Sequence, residues 1–191
     1  SLSVLYIDTD KVGCLPNTVP ELKVYNVRGN LVDNFPVCVF IQDPKFAEAI
    51  RSNCPSCIGI CNNLTPNAAL HTTLYVNSKG ISSLSGIENF TSLQRLDCSY
   101  NALIKLPLNL PETLTFLNCS NNPLTELKQL SNQLTELNCS YCHIKIIENL
   151  PTNLRELTCD NNKLTTLPKL PVSLARLECK NNLLLSLPDL P

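Results

Sequence analysis

Residues 93–106 read LQRLDCSYNALIKL, and four related phrases follow: LTFLNCSNNPLTEL at 114–127, LTELNCSYCHIKII at 134–147, LRELTCDNNKLTTL at 154–167 and LARLECKNNLLLSL at 174–187. Their first leucines are spaced by 21 residues once and by 20 thereafter. A unit of this length cannot bury its own apolar face, so it must stack on its neighbours, and the period dictates the architecture before any local propensity is weighed. Around each L-x-C, alternation predicts a short strand. Leu and Cys then point into the stack, while Asp97, Asn118, Asn138, Thr158 and Glu178 point out. About a dozen residues remain for the return path, too few for a long helix. Pro107, Pro111, Pro168 and Pro171 favour extended or polyproline geometry there.

Two columns of the phrase carry structural chemistry. The sixth position holds Cys98, Cys119, Cys139, Cys159 and Cys179, which read as small buried residues of a cysteine ladder. Parallel strands in register point these thiols the same way, which is poor geometry for bridging them. The ninth position holds Asn101, Asn122, Asn162 and Asn182, whose amides can satisfy backbone groups at the bend after each strand. Cys142 replaces asparagine in the third phrase, so that bend is expected to be held less well.

The phrase L-x-x-L-x-C-x-x-N-x-L-x-x-L, followed by LP-x-LP linkers such as residues 167–171, resembles the leucine-rich-repeat family. It covers about half the chain. The resemblance implies a strand-dominated α/β solenoid: a curved parallel sheet on the concave face, an extended convex side and one short cap-like helical insert. The short LP-x-LP repeats are similar to those of bacterial effector proteins, and the segment GISSLSGIENFTSL at 80–93 is similar to internalin repeats.

Working upstream, a divergent repeat is expected at Leu74-Tyr75-Val76, Ile81, Leu84, Ile87 and Phe90, which gives an array over residues 74–191 with one divergent and five regular units. Residues 37–73 break the rhythm. A strand is expected at 37–41, and Asp43-Pro44 is a strong helix start for an amphipathic helix over about 44–53. A second short helix is expected near 64–70. This segment resembles the helical cap that precedes internalin-like arrays. Residues 1–36 align with themselves at a spacing of 20, with Leu5, Ile7 and Asp10 on Tyr25, Val27 and Asn30, and read as two further repeats.

Composition narrows the function. The net charge is −1 from 15 basic and 16 acidic residues, with no charge run that would suit nucleic acid or an anionic membrane surface. No apolar stretch approaches the ~20 residues that span a bilayer. The only histidines, His71 and His143, lie outside any nucleophile or acid–base pattern, so no catalytic residue and no cofactor are assigned. Asn63, Asn89, Asn118 and Asn138 match glycosylation sequons that an Asn-rich repeat generates by chance. Cys54-x2-Cys57-x3-Cys61 is read first as a disulfide knot, with Cys38 as a further possible partner. Free thiols, or a metal held with His71, are the alternatives. Cys14 is expected to face solvent.

What remains is surface. One outward column holds Arg95, Phe116, Glu136, Glu156 and Arg176, with Tyr100 and Tyr141 just beyond the strands. Aromatic and arginine side chains dominate binding hot spots. The leading expectation is a monomeric protein- or glycan-binding module of a secreted or surface-displayed bacterial protein whose leader has been removed. The competing readings are a structural spacer or adhesin stalk, and a repeat fragment of a secreted effector.

Overall fold

The computed structural model describes residues 4–7, 23–26, 28, 31, 39–59 and 62–191. In chain order the elements are β1 (Val4–Ile7), β2 (Lys23–Asn26), α1 (Pro44–Asn53), β3 (Thr73–Tyr75), β4 (Arg95–Asp97), β5 (Phe116–Asn118), β6 (Glu126–Leu127), β7 (Glu136–Asn138), β8 (Ile146–Ile147), β9 (Glu156–Thr158) and β10 (Arg176–Glu178). Among the described residues, 3-10 turns occur at Pro55–Cys57, Pro66–Leu70 and Ile87–Asn89. Strands β3, β4, β5, β7, β9 and β10 form one parallel sheet in chain order, a solenoid of about five turns.

The register follows the repeat. Thr73, Arg95, Phe116, Glu136, Glu156 and Arg176 lie side by side, as do Leu74, Leu96, Leu117, Leu137, Leu157 and Leu177. The leucines from Leu74 to Leu157 are buried, and each contributes about 1.5–3 kcal/mol on burial. Val76, Cys98, Cys119, Cys139 and Cys159 form the next buried column, while Cys179 beside the outermost strand is half-buried. On the return side, β6 pairs with β8 and adds a two-stranded ladder to the expected extended path. Lys128 bridges Glu126 and Glu148 there at 3.0 and 3.4 Å.

The asparagines couple each turn to the one before it. The Asn122 amide donates to the Cys98, Cys119 and Ser120 carbonyls at 3.0, 3.0 and 3.2 Å, and its oxygen accepts from Leu103 N at 3.0 Å. Asn101 repeats the pattern, donating to Val76 O and accepting from Lys79 N and Ile81 N. Asn162 and Asn182 do the same for Ile144 N and Leu164 N. Cys142 donates to the Cys119 and Ser140 carbonyls at a long 3.5 Å each, as the weaker thiol chemistry implies.

Helix α1 has the expected bounds. Proline stands at its first position, and Asp43 caps it by accepting from Lys45 N and Phe46 N at 2.9 and 3.1 Å. Phe46, Ala47, Ala49 and Ile50 are buried and join the core of the array. At the far end of the helix, the Asn53 side-chain oxygen accepts from Tyr75 N at 3.2 Å, so the insert occupies part of the β3 edge. Val37 and Cys38 of the expected strand at 37–41 lie outside the described residues; within the rest, Phe40 forms an antiparallel bridge with Asn63. Ile41 N donates to Asn62 O at 2.9 Å and Leu64 N to Val39 O at 2.8 Å on either side of it.

Strands β1 and β2 pair in parallel, but Leu5 lies opposite Val24 and Tyr6 opposite Tyr25, an offset of 19 rather than 20 residues. Aligning the prolines fixes the linker, whereas register is a property of strand pairing. The remaining expectations for residues 1–36, including Asp10, Cys14 and Asn30, lie outside the described residues.

Candidate functional site

Two chemically distinct regions emerge, the outward face of the sheet and the cysteine-containing turn after α1. On the sheet, the expected column is outward-facing along its length. Arg95 and Phe116 are half-buried because they cover each other: the guanidinium carbon sits 4.1 Å from the ring centroid. Glu136 and Glu156 follow at the same register position on adjacent strands. Arg176 turns to Glu178 at 2.6 Å and reaches Glu156 only at 3.9 Å, and all three are solvent-exposed enough for the pairing to be weak. The arginine lowers the Glu178 carboxyl pKa through hydrogen bonding and charge, and Glu178 and Glu156 raise that of the arginine. Among the described residues Glu136 has no ion pair.

The second outward column is polar and internally tied. Asp97 accepts from Ser99 N and Ser99 Oγ at 3.0 and 2.6 Å, and Asn118 donates to Asp97 at 3.3 Å. Tyr75 heads this column and is 49% exposed. Sequence reasoning passed over it. The signal was present, since Leu74-Tyr75-Val76 has the same alternation as Leu96-Asp97-Cys98.

Beyond the strands the ladder continues through Ser78, Tyr100, Asn121, Tyr141 and Asn161. Each donates its backbone N–H to the next turn at 2.9 to 3.0 Å. All five, together with Asn181, have a left-handed backbone with φ of 54° to 57°. Asparagine tolerates that region, whereas a bulky side chain adopts it at a cost of about 1 kcal/mol. Tyr100 and Tyr141 nevertheless occupy it, 62% and 61% exposed, with Asn121 between them.

In the other region Cys54 and Cys57 are joined by a disulfide with a Cα–Cα separation of 5.3 Å. Cys38 and Cys61 lie outside the described residues. Among the described residues Cys98, Cys119, Cys139, Cys142, Cys159 and Cys179 are free thiols. Burial pushes the pKa values of Cys98, Cys119, Cys139, Cys142 and Cys159 up, to about 12 for Cys159, which disfavours their thiolates.

A parallel sheet with one strand per 20-residue turn, inward Leu and Cys columns and an asparagine at each bend decides the fold. The chain is a bacterial-type leucine-rich-repeat solenoid. The leucine-rich-repeat domain of a Shigella effector is similar to it at 28% identity and a TM-score of 0.64, over 78% of this chain and 63% of that one. YopM, a leucine-rich effector protein from Yersinia pestis, is similar at 32% identity and a TM-score of 0.62, over 78% of this chain and 40% of that one. This leucine-rich-repeat chain therefore spans less than two thirds of either protein. The functional domain of the internalin InlJ from Listeria monocytogenes, which includes a cysteine ladder, aligns at 23% identity with a TM-score of only 0.32, too loose a superposition to add to the argument. No family model matches the sequence, and no curated protein does. Among the described residues, no helix is long and apolar enough to cross a membrane.

Proposed function

We propose that the chain is a protein-binding module of a secreted bacterial leucine-rich-repeat protein, using the outward sheet face and the adjoining tyrosine rim. The observation that carries this reading is the placement of Tyr100 and Tyr141 in left-handed backbone, at positions that asparagine fills in the turns between and after them. Strain of this kind concentrates where a side chain is kept for what it touches. Tyrosine offers large rigid contact area with little entropy to lose. The Arg95–Phe116 stack and Tyr75 extend the aromatic surface, and the unpaired Glu136 beside Glu156 suits a basic side chain on the partner. The role assigned to the chain is binding, not catalysis.

The test is a pull-down comparing wild type with a Tyr100→Asn, Tyr141→Asn, Phe116→Ala variant. A partner recovered by wild type and lost with the variant supports the reading. Equal recovery overturns it. A wild-type chain that recovers nothing specific favours a spacer whose repeats only set distance.

A further inference from the structure

The sheet-face reading leaves one constellation unused. Cys54 closes the C-terminus of α1, Cys57 ends the following 3-10 turn, and His71 lies two residues before β3. The two sulfurs and a ring nitrogen of His71 all lie within 4.8 Å of one another. Both cysteines are buried and the histidine is half-buried. The His71 backbone N–H donates to Ala68 O at 3.2 Å, while among the described residues its ring makes no hydrogen bond. A histidine drawn this close to two sulfurs, with no described partner for either ring nitrogen, is poised as a ligand. The C-x-x-C spacing is the commonest way to present two thiolates to zinc.

We propose that Cys54, Cys57 and His71 form a redox-gated site for a thiophilic divalent cation such as zinc, which takes the place of the disulfide when the chain is reduced. A two-electron reductant of the dithiol or phosphine class cleaves the Cys54–Cys57 bond and leaves two thiols. The cation then displaces both protons to solvent and binds two thiolates and the neutral imidazole, with a water molecule in the fourth position. Two thiolates balance the dipositive ion, so the buried site carries no net charge. Either state ties the end of α1 to the turn below it. Only the metal state also takes in His71 and thereby the entry to β3. The ladder thiols do not compete: Cys98, Cys119, Cys139 and Cys159 are buried, and their strands hold them and the half-buried Cys179 in a row.

The experiment uses the full chain, with zinc ion as the probe. It is incubated with excess zinc, with or without a phosphine reductant under native conditions, then desalted and assayed for bound metal. About one zinc per chain is expected after reduction and none without it. His71→Gln is a half-exposed change that leaves the disulfide in place. It should weaken zinc binding by at least the roughly tenfold that loss of even an outer partner costs. Cobalt(II) in place of zinc should give a thiolate-to-metal absorption band that Cys54→Ser, Cys57→Ser removes. A reduced, folded chain that holds no zinc overturns the proposal. So does zinc held equally by wild type and by the His71→Gln variant.

Discussion

Asp43 Oδ2 accepts hydrogen bonds from both the backbone N–H and the hydroxyl of Ser82, at 2.7 and 2.8 Å, across 39 residues of sequence. A third comes from Ser83 N at 3.0 Å, while Oδ1 caps α1. One carboxylate therefore starts the helix and fastens it to the first turn of the array. Partial burial alone would raise its pKa, but the donors from Ser82, Phe46 and Ser83 outweigh that and lower it. Asp43→Ala should cost about 1–2 kcal/mol, at the upper end for a helix cap, because contacts outside the helix are lost as well. Ser82→Ala should cost less, since the backbone donor remains. Thermal melts at neutral pH check both.

The same carboxylate predicts an acid response. A depressed folded pKa contributes stability that is present above the unfolded aspartate value of about 3.9 and is lost as pH falls through the lower folded value. The melting difference between wild type and Asp43→Ala should hold from neutrality to about pH 5 and shrink below about pH 4. A difference that stays constant down to pH 3 would show that the carboxylate's charge is not involved.

At Cys142 the expected change is a gain. The Leu124 amide is the counterpart of Leu103 and Ile144, which donate to asparagine oxygens, but it meets only the Cys142 sulfur. Cys142→Asn restores one acceptor and two donors in a buried bend and should stabilise by roughly 0.5–1.5 kcal/mol. A variant that melts markedly lower would refute the account of this column.

Gly86 begins the 3-10 turn at Ile87–Asn89 with φ of 101°, and a Cβ there would run into Ile41 Cδ1. Gly86→Ala should cost about 1–3 kcal/mol from backbone strain and the displaced isoleucine. Pairing it with Ile41→Val should recover part of that loss, which denaturant titration of the single and double variants measures.

Tyr100→Asn and Tyr141→Asn should each stabilise the isolated chain by several tenths of a kcal/mol while weakening partner capture, a trade between stability and function. If either substitution destabilises, the side chain is held for packing rather than for contact.

The period made most of the fold legible. Leu96, Cys98 and Asn101 recur at fixed intervals, and each recurrence maps onto a column of the sheet or a rung of hydrogen bonds. Asp43-Pro44 announced α1 because capping chemistry is local. The apolar run at 37–41 suggested a strand but could not name its partner, which is the segment around Asn63 that pairs with Phe40. Contacts such as Asn53 with Tyr75, or Arg95 over Phe116, were illegible for a related reason. They depend on which side chains meet across turns, and the one-dimensional pattern gives faces but not rotamers. The outward column was legible as a surface. The backbone strain under Tyr100 and Tyr141 was not, since a phrase alone does not reveal the φ of its eighth residue.

The asparagine rungs also set a direction for assembly. Asn101 completes the bend at Ile81, 20 residues upstream, and Asn122 completes the bend at Leu103. A turn thus lacks the acceptor for its own bend until the next turn has been made. On a ribosome, the growing solenoid would trail its own synthesis by one repeat, its newest coil always open and waiting for the amide that follows.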